Sequence, residues 1–142
     1  MGARASLDTA LLQNVQILVV DDDESARELL HAVLEYCGAH VTSAGSARGA
    51  LASLDRMRPD VILCDILMPG ADGYAFIRAL GTRRAVADTP VIALTAFASP
   101  EAADGAYAAG FRAYLKKPVD PWALCRTIDR VRRGIARPGP AA

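Results

Sequence analysis

The sequence has no surplus of charge of either sign: 16 Lys and Arg stand against 16 Asp and Glu. A dedicated binder of nucleic acid or of a membrane surface usually needs excess positive charge, so neither class is indicated. Paired cysteines are missing too. Cys37, Cys64 and Cys125 are odd in number, widely spaced and set among apolar residues, with no C-x-x-C spacing. They read as buried thiols in a reducing compartment rather than as a disulfide framework or a thiolate metal site. No run approaches the ~18 apolar residues of a membrane span. Met1 to Asn14 holds no apolar stretch of signal-peptide length behind a basic region. Internal repeats and a low-complexity core are also lacking. The expectation is a soluble, cytoplasmic protein with no nucleic-acid or membrane partner.

What is present suits a single packed domain. The chain has 142 residues, 52% of them hydrophobic, enough for a sizeable core. Residues 1–14 and 134–142 read as tails, the latter with Pro138 and Pro140, leaving 15–133 as the domain. Within it, short apolar runs alternate with helical periods. Gln16 to Val20, Val61 to Cys64 and Val91 to Leu94 are too short for helices and do not alternate, as expected of strands buried on both faces. Residues 40–44 are more polar and fit an edge strand, and Ala113 to Leu115 a short fifth strand.

Between them, Ala26, Leu29, Leu30, Val33, Leu34 and Cys37 form a helical stripe stopped by Gly38. Ser46 caps a helix running to Met57, with Pro59 beyond it. A turn with Pro69, Gly70 and Gly73 leads to a helix carrying Phe76, Ile77 and Leu80. Ser99-Pro100 opens an Ala-rich helix ending at Gly110. A last helix spans about Asp120 to Arg133, with Trp122, Leu124, Cys125, Ile128 and Val131 inward. Five strand-then-helix units imply a parallel sheet covered on both faces, and right-handed crossovers make it doubly wound. In such sheets the ligand site lies beyond the carboxyl ends of the strands.

Those ends carry Asp21, Asp22 and Asp23 after the first strand, Asp65 after the third, Thr95 after the fourth, and Lys116, Lys117 and Pro118 after the fifth. Clustered carboxylates resist joint ionisation, and a divalent cation relieves the repulsion. Oxygen ligands with no His or Cys among them favour a hard ion such as Mg2+. A carboxylate beside that ion can attack phosphorus and form an acyl phosphate. A lysine and a hydroxyl nearby would neutralise and hydrogen-bond the phosphoryl oxygens. Asp23 reads as a helix cap, Lys116 as a surface lysine, and Met68 and Pro69 as shaping the loop. His31 and His40 lie away from this edge, and neither is read as a phosphohistidine. Arg126, Arg130, Arg132 and Arg133 suit the C-terminal end of the last helix.

Four stretches, Leu18-Val-Val-Asp-Asp22, Asp65-Ile-Leu-Met-Pro-Gly-Ala-Asp-Gly73, Ala93-Leu-Thr-Ala96 and Leu115-Lys-Lys-Pro118, together resemble the signature segments of bacterial two-component response-regulator receiver domains. The resemblance spans about residues 15 to 133. It implies a flavodoxin-like (βα)5 fold with strand order 2-1-3-4-5. It further implies that Asp65 takes a phosphoryl group from a histidine of a sensor kinase or a phosphotransfer protein. Asp22, Asp65 and the Leu67 backbone carbonyl would hold Mg2+ (or Mn2+) directly, and Asp21 through water. Thr95 and Lys117 would stabilise the phosphoryl group, with Lys117 pairing with Asp65 beforehand. Thr95 and Tyr114 would form the switch, the Lys117–Pro118 bond would be cis, and helix four, strand five and helix five would face a downstream protein target. On this reading the chain is a phosphoacceptor module that catalyses only its own phosphorylation and dephosphorylation, not an enzyme.

Only residues 134–142 follow Arg133, so no DNA-binding output is expected in this chain. The expectation is a stand-alone receiver or the receiver of a hybrid sensor kinase. A nucleotide- or flavin-binding enzyme of the same architecture needs a phosphate-welcoming loop, and Asp21 to Glu24 would repel a bare phosphate. An aspartate-nucleophile phosphatase needs a second acid two residues after its nucleophile, where this chain has Leu67. A degenerate receiver that works by binding alone is opposed by the presence of all five polar side chains, Asp21, Asp22, Asp65, Thr95 and Lys117.

Overall fold

A computed structural model describes residues 8–68, 73–97 and 99–135. Five strands, β1 (Gln16–Val20), β2 (His40–Ala44), β3 (Val61–Asp65), β4 (Val91–Thr95) and β5 (Ala113–Lys116), alternate with five helices. These are α1 (Glu24–Tyr36), α2 (Ala47–Ser53), α3 (Gly73–Gly81), α4 (Pro100–Ala109) and α5 (Pro121–Arg132). All strand pairs are parallel, in the order β2-β1-β3-β4-β5. The fold is the doubly wound, flavodoxin-like sheet that the sequence implies, with its switch point between β1 and β3.

The apolar strand runs are continuous because each strand feeds two cores. Leu18, Val20, Ile62, Cys64 and Ala93 pack with Ala50, Phe76, Leu80 and Ala106 from α2, α3 and α4. The alternate residues Ile17, Val19, Leu63, Ile92 and Leu94 pack with Leu34, Leu124 and Ile128 from α1 and α5. Burying one such aliphatic side chain stabilises the fold by about 1.5–3 kcal/mol. That is several times what helix propensity contributes per residue, so tertiary packing holds these short helices in place. Side-chain oxygens of Asp23, Ser46, Ser99 and Asp120 each accept the N–H three residues on at 3.0 Å, starting α1, α2, α4 and α5. The capping role expected of Asp23 is therefore observed. Gly110 stops α4 in the left-handed region at φ 114°.

Several elements depart from expectation. The second helix ends at Ser53, not Met57, because Asp55 and Arg56 bond to carbonyls three residues back and tighten the chain into turns. Leu29, placed in the apolar stripe of α1, is 63% exposed. Trp122 is half-buried rather than inward, with the Arg126 guanidinium carbon 5.6 Å from its ring centroid. The stretch taken as an amino-terminal tail is anchored at Leu11 and Leu12, which pack on the core. Leu12 is fully buried, and the N–H groups of Leu12 and Asn14 donate to Cys37 and Gly38 at 2.9 and 3.1 Å. Pro69, Gly70 and residues 136–142, with Pro138 and Pro140, lie outside the described residues. No helix among the described residues is long and apolar enough to cross a membrane.

Candidate functional site

The carboxyl edge of the sheet gathers residues from four loops. Parallel pairing sets their level: Val20 lies opposite Cys64, Asp65 opposite Leu94, and Thr95 opposite Lys116. Each strand therefore releases its polar residue at nearly the same height. Asp21, Asp65 and Thr95 are the buried polar residues of the described chain, at 0%, 7% and 3% exposure, and Asp22 is exposed.

Lys117 closes the arrangement. The sequence pairs it with Asp65; the structure shares it, with Nζ 2.6 Å from Asp21 Oδ2 and 3.2 Å from Asp65 Oδ2. The remaining carboxylate oxygens are also engaged. Asp21 Oδ1 accepts the Asp23 N–H at 2.9 Å, and Asp65 Oδ1 accepts the Leu67 N–H at 3.0 Å. Burial lowers the basicity of Lys117, but its bonds to Asp21 and its attraction to Asp65 more than offset this and leave its pKa above the ordinary value. Burial pushes Asp65 the other way for an acid, above the usual carboxylate range, and Lys117 and the Leu67 N–H reverse this only in part. The ammonium therefore stays charged while one carboxylate sits uneasily ionised.

Asp21, Asp22 and Asp65 can each offer a carboxylate oxygen such that the three lie within 4.8 Å of one another. No His or Cys belongs to this cluster, and the donor set fits a hard, oxygen-loving cation. No partner among the described residues engages the Asp22 carboxylate, whereas both Asp21 oxygens already hold hydrogen bonds. Asp22 is thus the acid with capacity to spare. Leu67, whose carbonyl the resemblance implies as a ligand, lies in the same β3–α3 loop and is 51% exposed.

The other nominated residues connect this cluster to a surface. Thr95 Oγ1 accepts the Phe97 N–H at 3.1 Å, and the Tyr114 hydroxyl donates to the Phe97 carbonyl at 2.7 Å. Thr95 and Tyr114 are therefore joined through one residue of the β4–α4 loop. The Lys117–Pro118 bond is cis. Beside Lys117 opens an apolar cleft of about 400 Å3 lined by Leu29, Leu30, Val33, Pro118, Val119 and Leu124 among others.

Two glycines and one arginine matter here that the sequence does not single out for the site. A Cβ on Gly73 would lie 2.8 Å from both the Asp65 carbonyl oxygen and Ile66 Cα, so α3 starts against the backbone at the end of β3. Arg27 donates from Nη1 to the Asp21 carbonyl at 2.7 Å and packs on Gly45. Spacing along α1 gives no sign of this, because the side chain reaches back over its own helix start.

The model of the response regulator receiver domain matches residues 17–129. An uncharacterised 14.6 kDa protein in the sodA1 3' region of Leptolyngbya boryana is 42% identical over 119 residues, 84% of this chain and 91% of that protein. The DNA-binding transcriptional regulator NtrC of Salmonella typhimurium is 39% identical over 88% of this chain, which spans only 26% of NtrC. Among solved structures, the chemotaxis protein CheY4 of Vibrio cholerae superposes with TM-score 0.79 at 35% identity, covering 83% of this chain and 98% of that one. The receiver domain of the sensor histidine kinase PA1611 of Pseudomonas aeruginosa, solved with a magnesium ion coordinated in its active site cleft, gives 0.77 at 32%, covering 84% and 98%.

Proposed function

Because the chain belongs to the response regulator receiver domain family of two-component signalling, we propose that Asp65 accepts a phosphoryl group from a phosphohistidine of a sensor kinase or phosphotransfer protein in the cytoplasm. The observation that carries this is the sharing of the Lys117 ammonium between Asp21 and Asp65 at a sheet edge where three carboxylates converge. Asp22, Asp65 and the Leu67 carbonyl would hold Mg2+ (or Mn2+), with Asp21 reaching it through water. When bound, the ion supplies positive charge that relieves the acidic cluster and draws the phosphoryl oxygens in.

The chain's own residues supply the rest. An Asp65 oxygen attacks phosphorus; the O–P bond forms, the N–P bond to the donor imidazole breaks, and the imidazole nitrogen keeps the electron pair. Lys117 exchanges its Asp65 contact for the incoming phosphoryl charge without leaving Asp21, so its cation is in place throughout. The Thr95 hydroxyl accepts from Phe97 and has its hydrogen available to donate to a phosphoryl oxygen. Drawing Thr95 inward pulls on Phe97, and through Phe97 on Tyr114. Phosphorylation would thereby be read on the surface of α4, β5 and α5 by a downstream protein. The apolar cleft beside Lys117 gives a donor protein surface to bury next to the acceptor.

Incubation with a small acyl phosphate and Mg2+ should add one base-labile phosphoryl group, detected by intact mass. Asp65→Ala and chelation of the metal should each abolish it. A mass increase that persists in Asp65→Ala places the acceptor elsewhere and defeats the assignment.

A further inference from the structure

We propose that Arg27 is a positioning residue for the cation site, acting by locking the peptide that joins Asp21 to Asp22. The proposal rests on the assignment of Asp21, Asp22 and Asp65 as that site.

Arg27 sits one turn into α1, and its N–H donates to the carbonyl of the cap residue Asp23 at 3.0 Å. Its side chain then turns back past the helix start, and Nη1 donates to the Asp21 carbonyl at 2.7 Å in a part-buried setting. The guanidinium is held from the other side as well. A Cβ placed on Gly45 would meet Nη1 at 3.1 Å, Cζ at 3.5 Å and Nη2 at 3.9 Å. The guanidinium therefore packs on the turn between β2 and α2, where the absence of a side chain leaves it room.

Asp21 is consequently gripped at every polar group it has. Its N–H donates to Ala44 at 3.1 Å, its carbonyl accepts from Arg27, and its two carboxylate oxygens accept from Asp23 N–H and Lys117 Nζ. The Asp21 carbonyl belongs to the same peptide plane as the Asp22 N–H. Fixing that plane fixes the direction from which Asp22, the acid with no partner among the described residues, presents its carboxylate. Outer partners of this kind typically set metal affinity by ~10–100-fold.

A competing effect gives the idea its test. Arg27 is also a permanent positive charge close to the acids, and by Coulomb repulsion alone it would disfavour a second cation. If charge dominates, neutralising Arg27 tightens Mg2+ binding. If positioning dominates, the same change weakens it. The short, part-buried bond to the Asp21 carbonyl favours positioning.

Titration of Mg2+ alone into the full chain by calorimetry, with competition against Mn2+ followed by electron paramagnetic resonance, separates the two. Arg27→Gln should raise the dissociation constant for Mg2+ by about tenfold. Arg27→Lys, which keeps the charge but not the guanidinium fork, should fall between Arg27→Gln and wild type. Gly45→Ala keeps Arg27 and its charge while crowding the guanidinium, so it should weaken binding in the same direction by a smaller factor; it also serves if Arg27→Gln folds poorly. Equal or tighter Mg2+ binding in folded Arg27→Gln and Gly45→Ala overturns the proposal, as does a fall in melting temperature with the dissociation constant unchanged. Wild type and Asp22→Asn test the underlying site: Mg2+ binding that is absent from wild type, or that survives Asp22→Asn undiminished, defeats the site assignment and the role of Arg27 with it.

Discussion

Leu67 and Phe97 stand 51% and 70% exposed, each two residues beyond a side chain of the cluster. Their backbone N–H groups donate to Asp65 and Thr95, and neither carries a polar side-chain atom that could orient or deprotonate water. A positioned general base is worth ~10²–10⁴ in rate, so a phosphorylated Asp65 should hydrolyse slowly. Decay of the acyl phosphate should quicken by about tenfold or more in Leu67→Asn combined with Phe97→Glu; equal lifetimes would sink the idea. Asp65 supplies a second expectation, about stability. Burial raises its pKa above the unfolded value, so the protonated form favours the fold. That contribution is fully present below the ordinary carboxylate value and is lost as pH rises through the raised one. At neutral pH without metal, ionised Asp65 therefore weakens the fold. Asp65→Asn keeps an acceptor for the Leu67 N–H and removes the charge. Its melting temperature at pH 7 in chelator should exceed wild type by about 3 °C, roughly 1 kcal/mol, with the gap closing on acidification; scanning calorimetry showing no gain at pH 7 would contradict this. At this scale the sequence shows which residues meet, because each follows a strand and parallel strands end together. It does not show that Lys117 leans toward Asp21, or that Arg27 grips the Asp21 carbonyl. Those depend on where long side chains reach, which spacing along the chain does not encode.

The elements were legible wherever burial imposed a pattern. β1, β3 and β4 are recognisable because both faces are covered, which removes polar alternation and leaves short apolar runs. Ser46, Ser99 and Asp120 mark helix starts because the cap has a chemical requirement. The early end of α2 and the anchoring of Leu12 and Asn14 to Cys37 and Gly38 were not legible, since both depend on contacts made only in the folded chain. Gly38 shows why: at φ 97°, a Cβ there would meet Gln13 Cα at 3.0 Å, a partner far away in sequence. Two glycines in α3 now separate cleanly. Gly73→Ala forces a methyl to 2.8 Å from the backbone of Asp65 and Ile66. Helix and strand must part, at a cost of about 1–3 kcal/mol, with Asp65 displaced and its phosphorylation slowed. At Gly81 nothing lies within 4 Å of the added carbon and the backbone φ is ordinary. Gly81→Ala should stabilise by about 0.4–1 kcal/mol by restricting the unfolded chain. Urea unfolding of the two variants should move the midpoint in opposite directions; a shared direction would contradict the packing account of α3.

Across the whole molecule, the site and the core are linked through stability. Asp65, ionised and partly desolvated at the acidic edge, weakens the fold, and two apolar faces hold it together. The thiols report on that balance. Cys37, Cys64 and Cys125 are all fully buried. Cys37 at the end of α1 and Cys125 in α5 lie with their sulfurs 3.5 Å apart across 88 residues of sequence. Burial first, and then the hydrogen bond with Cys37, push the Cys125 thiol up to about 12. Since the thiolate is the reactive form, Cys125 is protected twice, by inaccessibility and by protonation. Alkylation at pH 8 should therefore require α1 and α5 to separate, which breaks the core they share with β1, β3 and β4. Labelling then follows the population of the unfolded chain when refolding outpaces reaction. Any cation that binds only the folded form should slow it. At 100 times its dissociation constant, Mg2+ should add about 2.7 kcal/mol and slow labelling of all three thiols by about a hundredfold. Asp65→Asn, more stable without metal and poorer at binding it, should label more slowly than wild type in chelator and gain less from Mg2+. Labelling that ignores saturating Mg2+ would mean that Cys37 and Cys125 are reached by local opening of α1 or α5 and Cys64 by opening of the opposite face, and that the acidic edge and the core are uncoupled.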